Sequence, residues 1–211
     1  MKTIGVAKWQ AALIHAADTI IDNEPYLTEV DTIIGDGDHG IGMKRGFCAL
    51  KKLLEANTYP TMEALCKATG MELVKTMGGA SGVIFGTLFI GGLKELGDGN
   101  AVSLQQLTNY LDAGCEAIQR RGKARAGQKT MLDALIPAVE ALKVQAAQDA
   151  DIETAFDDAQ RAAKEGVEAS KSMKSQTGRS KNFQDATIGL PDPGAISTSL
   201  IFQALYESIK A

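Results

Sequence analysis

Apolar residues recur at three- and four-residue intervals along most of this 211-residue chain, and no stretch alternates apolar and polar as a half-buried strand does. That period dictates helices. Trp9, Leu13, Ala17 and Ile20 mark a first helix over about 5–22, and Met43, Phe47, Leu50 and Leu54 a second over about 40–56. A third, about 60–77, opens with Pro60 and Thr61 and carries Leu65, Met71 and Leu73. The pattern continues over about 80–96, then over about 103–121 with Leu104, Leu107, Leu111 and Ile118. It extends over about 129–147, where Pro137 is expected to kink the helix, and over an alanine-rich, charged stretch at about 151–174. The last helix, about 193–210, starts with Pro193, which suits a first turn. Aromatic residues make up only 5% of the chain, which fits helices better than sheets. The expected fold is all-α, one domain over 1–211 without an interdomain linker.

Eight helices joined by short loops must alternate in direction, as an up-and-down antiparallel bundle or barrel. The alternation sorts the loops. "GDGDHGIG", "MGGASG", "RRGKARAGQK" and "TGRSKNFQDATIGLPDPGA" fall at one end, while "ANTYPT", "GDGNAV" and "AQDAD" fall at the other. The first four are rich in glycine or charge, and the last three read as ordinary polar turns.

The segment "IIGDGDHGIG", residues 33–42, puts two aspartates, a histidine and four glycines in ten positions. Adjacent carboxylates repel unless a cation lies between them. Asp31, Asp36 and Asp38 together offer hard oxygen donors, which suit Mg²⁺ or Ca²⁺ rather than zinc. An EF-hand is excluded, since Ile41 and Phe47 stand where its glycine and glutamate belong. A solvated acidic turn is the plain alternative. The "GASG" and "DPGA" loops can present backbone N–H groups at helix starts, where phosphate binds. Ser81 adds a hydroxyl and Arg179 a guanidinium. Arg120, Arg121, Lys123, Arg125 and Lys129 either raise the local positive potential or form a solvated basic turn. His39 is read as a loop organiser bonded to a phosphate or an aspartate, with a general base as the alternative. His15, in mid-helix, reads as structural or exposed.

Other classes drop out. The net charge of −4 gives no sign of general nucleic-acid binding. Cys48, Cys66 and Cys115 form no CxxC pair, which leaves buried reduced thiols as the expectation. The start "MKTIGVAKWQ" lacks the apolar core of a signal peptide, and no apolar run reaches membrane-spanning length, so a cytoplasmic protein is expected. Neither a Walker phosphate loop nor a dinucleotide fingerprint after a strand occurs.

"IGDGDHGIGMKRGF", "TMGGASGVIFGTLF", "RGKARAGQKTMLDAL" and "IGLPDPGAIS" resemble, in order, the motifs of the ADP-binding L subunit of dihydroxyacetone kinase. The resemblance runs over nearly the full length. It implies an eight-helix antiparallel barrel that holds ADP or ATP and two Mg²⁺ at one rim. Carried over by motif, Asp31, Asp36 and Asp38 resemble the metal ligands. Nucleotide contacts resemble His39, Gly40, Ile41, Gly42, Ala80, Ser81, Gly122, Met131, Arg179, Asp192, Pro193 and Gly194. Many relatives have Asn or Thr where this chain has Gly42, a change that a backbone contact survives.

The resemblance also implies a division of labour. A separate K subunit holds the ketose through a histidine, and a phosphotransferase-system M subunit or free ATP supplies the phosphoryl group. The substrate would be dihydroxyacetone or another small ketose such as erythrulose. Self-association into a homodimer is left open. A helical Mg²⁺–diphosphate lyase is a rival, but it would set its aspartates along a helix as D-D-x-x-D. A nucleotide-sensing adaptor that binds a regulator through the same rim is the non-enzymatic alternative.

Overall fold

The computed structural model describes every residue, 1–211. All eight expected helices are present: α1 (Val6–Asp22), α3 (His39–Ala56), α4 (Met62–Thr76), α5 (Gly79–Ile90), α6 (Leu104–Gly122), α7 (Leu132–Ala147), α8 (Ile152–Ser170) and α9 (Pro193–Lys210). Between α1 and α3 the chain forms a further helix, α2 (Glu24–Ile34), where the sequence suggested only a loop. Its starting signal is Pro25 in the first turn, and Leu27, Val30, Asp31 and Ile34 make its buried face. Two three-residue strands, β1 (Thr3–Gly5) and β2 (Ala101–Ser103), pair antiparallel with Ile4 opposite Val102. Three residues are too few for alternation to register in a sequence. A 3-10 turn follows α5 at Leu93–Glu95, and two 3-10 turns, broken at Gln184 where φ is +52°, span Ser180–Thr187 before α9.

The helices close into a ring. α1 packs on α3, α3 on α4, and each later helix on its successor until α9 returns to α1. α2 stands outside that ring, against α3 and the start of α9. One core of buried side chains extends from Ile4 to Ile209. At its centre Trp9 meets the edge of Phe156 with ring centroids 5.8 Å apart, and Phe156 stacks on Phe202. The alanine pattern of α8 explains its close fit: Ala155, Ala159 and Ala163 are fully buried, and they let α7 and α9 approach. A large-to-small change at Trp9 in such a core costs about 3–5 kcal/mol.

α7 runs without interruption through Pro137. The proline removes the N–H that would bond to the Asp133 carbonyl. α8 approaches that carbonyl so closely that a β-carbon on Gly166 would lie 2.1 Å from it. No helix is long and apolar enough to cross a membrane.

Candidate functional site

Alternation of the helices brings four loops to one rim, and there they enclose a cavity of about 460 Å³. Its wall is built from 31–45, 77–85, 129–131, 177–180 and 192–194, with gaps. Three helices, α3, α5 and α9, begin at this cavity, so three positive dipole ends face one space. A volume of this size suits a nucleotide-sized ligand.

On one side lies the acidic cluster. One carboxylate oxygen from each of Asp31, Asp36 and Asp38 lies within 4.8 Å of the others. Asp31 comes from the last turns of α2, and it accepts a hydrogen bond from the His39 backbone N–H at 3.1 Å. That carboxylate folds back over Gly35, where a β-carbon would sit 2.2 Å from Asp31 Oδ1; only glycine fits. Burial pushes the Asp38 carboxyl above its ordinary value, and repulsion from Asp36 and Asp31 pushes the same way against the pull of Arg179. Three oxygen donors that repel one another fit a hard divalent cation such as Mg²⁺. Arg179 Nη1 lies 2.5 Å from Asp36 Oδ2, which ties the loop before α9 to the loop before α3.

Across the cavity, Gly78 starts α5 at φ +75°, and no side chain caps the helix. A β-carbon there would be strained and would meet the Arg45 guanidinium at 2.7 Å. Arg45 fixes this turn from below, donating to the Thr76 carbonyl at 3.0 Å and to the Met77 carbonyl. The first-turn N–H groups of Gly79, Ala80 and Ser81 therefore have no partner within the helix, the usual condition for binding an anion. Met77, Ile84, Phe85 and Met131 supply an apolar stretch of wall.

The His39 ring bonds neither a phosphate nor an aspartate here, but a serine. Its Nε2 lies 2.7 Å from Ser197 Oγ on α9, and Ser197 in turn donates to the Pro193 carbonyl. Burial holds the imidazole below its ordinary value, and Asp31 opposes that shift. Asp192 caps α9 by accepting from the Ala195 N–H at 2.8 Å. Burial pushes its carboxyl up to about 7, against the Ala195 N–H and the Lys129 ammonium. His15 is on the outer surface, 3.1 Å from Glu207. All three cysteines are free, and burial raises Cys66 and Cys115 to about 11.

Most of the residues singled out in the sequence meet at this cavity: Asp31, Asp36, Asp38, His39, Ile41, Gly42, Ala80, Ser81, Met131, Arg179, Asp192, Pro193 and Gly194. Gly40 does not line it but is buried against Thr28 and Glu24 of α2. Gly122 is also off the wall, exposed at the end of α6 beside Ile84. Of the basic loop, Arg120, Arg121, Lys123 and Arg125 are exposed and outside the cavity, as a solvated turn would be. Lys129 is the exception, buried at the cavity wall. Arg45, Thr130 and Thr177, inside the quoted motifs and loops but not among the residues singled out, also line the cavity.

A family model described as the DAK2 domain matches residues 33–207. The chain is 35% identical, over 90% of its length and 90% of the relative's, to a Listeria innocua protein named PEP-dependent dihydroxyacetone kinase 1, ADP-binding subunit DhaL. It is 34% identical, over 92% of each chain, to the corresponding ADP-binding subunit of Escherichia coli. It is also 31% identical, over 98% of its length, to the human triokinase/FMN cyclase, of which it spans 36%. Among solved structures, it is similar to the dihydroxyacetone kinase from C. freundii in complex with AMP-PNP and Mg²⁺, with a TM-score of 0.78 and 26% identity. That likeness covers 99% of this chain and 35% of the C. freundii chain, so this chain corresponds to about a third of the larger protein.

Proposed function

The chain belongs to the DAK2 domain family, and from that premise we propose that it is the nucleotide-binding subunit of a dihydroxyacetone-type kinase, working on a small ketose held by a partner subunit. The observation that carries this reading is the meeting, in one cavity, of three carboxylates with the starts of three helices. One half of that site suits divalent cations and the other suits phosphates. The ADP-binding relatives and the AMP-PNP and Mg²⁺ complex of the C. freundii enzyme support the same assignment.

In this reading Asp31, Asp36 and Asp38 hold two Mg²⁺. Bound there, Mg²⁺ neutralises charge on the phosphate oxygens and orients them. The N–H groups of Gly79, Ala80 and Ser81 fix the phosphates, and the Ser81 hydroxyl adds a donor. Arg179 leaves Asp36 to bind a phosphate oxygen, since its guanidinium is largely exposed and close at hand. Met131, Ile84 and Phe85 offer an apolar face to the base. His39 keeps α3 and α9 in register through Ser197 rather than moving a proton.

The partner requirement follows from the histidines. A ketose held covalently needs an accessible imidazole, yet His39 is committed to Ser197 and His15 is on the far surface. Transfer to the ketose hydroxyl therefore takes place at the mouth of the cavity, with the ketose presented by another chain. The donor is a phosphotransferase-system protein that recharges bound ADP, in line with relatives named PEP-dependent and PTS-dependent, with free ATP as the alternative. Purified chain examined by native mass spectrometry is expected to carry ADP. Dihydroxyacetone phosphorylation is expected only when a matching ketose-binding subunit and a phosphoryl donor are added. Turnover by the chain alone would overturn the division of labour, and absence of any Mg²⁺-dependent nucleotide binding would overturn the assignment itself.

A further inference from the structure

Lys129 lines the cavity yet is only 1% exposed. Its ammonium makes no ion pair. It donates instead to two backbone carbonyls, that of Ser170 at 2.6 Å and that of Leu190. Ser170 is the last residue of α8, and Leu190 lies just before α9. One side chain thus ties together the two ends of the loop that connects those helices. Backbone bonds draw the same neck closed: Gly189 N–H donates to the Lys171 carbonyl at 2.7 Å, and Asp192 N–H donates to Ser170 Oγ at 3.1 Å. Beyond the neck, the loop carries Arg179 to its contact with Asp36.

The backbone of Lys129 gives an independent sign that the side chain matters. Its φ is +60°, a left-handed conformation that a residue with a β-carbon adopts only at a cost. Glycine would relieve that strain. Burying an ammonium is a second cost, which its bonds to the two carbonyls offset in part. Both costs fall on one residue, and what they secure is the neck. A loop of this length, with Gly178 and Gly189 at positive φ, otherwise has much conformational freedom to lose before it can hold Arg179 in place.

We infer that Lys129 is a positioning residue: by bridging the Ser170 and Leu190 carbonyls it pins the neck of the 171–192 loop and so sets Arg179 over the phosphate end of the nucleotide. The inference rests on the nucleotide reading above. Lys129 acts through Arg179, so the two residues should be coupled energetically.

The test uses the full chain and has two readouts. The first needs no ligand: hydrogen exchange of the wild type and Lys129→Met. Peptides within 172–190 should exchange roughly tenfold faster in the variant, while 56–61 and 97–102 keep their rates. Equal acceleration at both ends, or none within the loop, overturns the inference. The second is Mg·ADP affinity across wild type, Lys129→Met, Arg179→Ala and the double variant. Arg179→Ala should weaken binding roughly tenfold in the wild type but less than about twofold in the Lys129→Met background. Losses that multiply fully overturn the inference, because a merely structural lysine would act independently of Arg179. Wild type that binds no Mg·ADP overturns the nucleotide reading alone and leaves the neck to the exchange result. Should Lys129→Met not fold, Lys129→Gly removes the ammonium while relieving the backbone, and the same loop-confined acceleration is expected.

Discussion

The two ends of the barrel are built on opposite principles. At the end away from the cavity, helix starts are supplied with partners. Thr61 Oγ1 caps α4 by accepting from Ala64 N–H, and Ser103 with Gln106 forms a capping box on α6. β1 and β2 pair across this end, and Val6 N–H donates to the Asn100 carbonyl at the start of α1. The N-terminal amine lies 2.9 Å from Asp151, and Ile152 N–H reaches the Met1 carbonyl, which closes the start of α8. At the rim, α3 and α5 start with no side-chain cap, though Asp192 caps α9, and glycines at positive φ stand at 37, 78, 79, 127, 178 and 189, against Gly97 alone at the far end. The same fold therefore gives one end that is satisfied by its own chain and one that has donors and carboxylates left over for something else. The proposed binding belongs to the second end.

The contrast can be broken most severely at the acidic cluster. Asp36→Asn, and likewise Asp38→Asn, is expected to weaken nucleotide binding about a hundredfold or more, since loss of groups that merely orient metal ligands already costs 10–100-fold. Helicity by circular dichroism should hardly change, because both side chains lie in the loop before α3, outside the core. Unaltered affinity in both variants would remove the metal from the account.

Ligand removal is the next largest effect. Mg·ADP at a thousandfold excess over its dissociation constant stabilises a protein that binds it only when folded by about 4 kcal/mol. For a chain of this size that is a rise in melting temperature of about 10 °C. EDTA should reverse the rise and release nucleotide in the same step, as calorimetry and filtration can follow together. Nucleotide that stays bound in EDTA contradicts a shared site.

Gly78→Ala sharpens the comparison at the rim. A left-handed φ of +75° and a β-carbon 2.7 Å from Arg45 should cost about 1–3 kcal/mol of stability and weaken nucleotide binding as well. Thr61→Ala is its counterpart at the far end. Loss of that cap should cost about 1 kcal/mol, or roughly 2–4 °C, and leave nucleotide affinity untouched. Denaturant melts and nucleotide titrations of the pair separate the two ends. A loss of affinity in Thr61→Ala would show that they are not independent.

Much of this contrast is legible in the sequence, for an identifiable reason. Helical periodicity is strong at Trp9–Leu13–Ala17 and Leu104–Leu107–Leu111, and once the helices are counted the alternation of direction assigns each loop to an end. That is how Asp36, Ser81 and Arg179, far apart in the chain, can be placed together. What the sequence hides depends on tertiary contact. α2 has only eleven residues and sits beside the glycine run that dominates its neighbourhood, so its Leu27–Val30–Ile34 face passes unnoticed. β1 and β2 exist only because the ring brings residues 3–5 and 101–103 side by side. Lys129 reads as one more cation in "RRGKARAGQK", and only the packing of α8 and the following loop buries it. Gly40 sits between cavity residues in sequence, but helix geometry turns it toward α2, while Gly122 at the end of α6 stays at the surface, away from the cavity.

The most direct test of the two-ended design is hydrogen exchange on the full chain with and without Mg·ADP. The account predicts strong protection on ligand addition at 33–42, 77–82, 127–131 and 176–194, and no change at 56–61, 97–103 and 148–152. Protection spread equally over both ends, or absent from the rim loops, would contradict it.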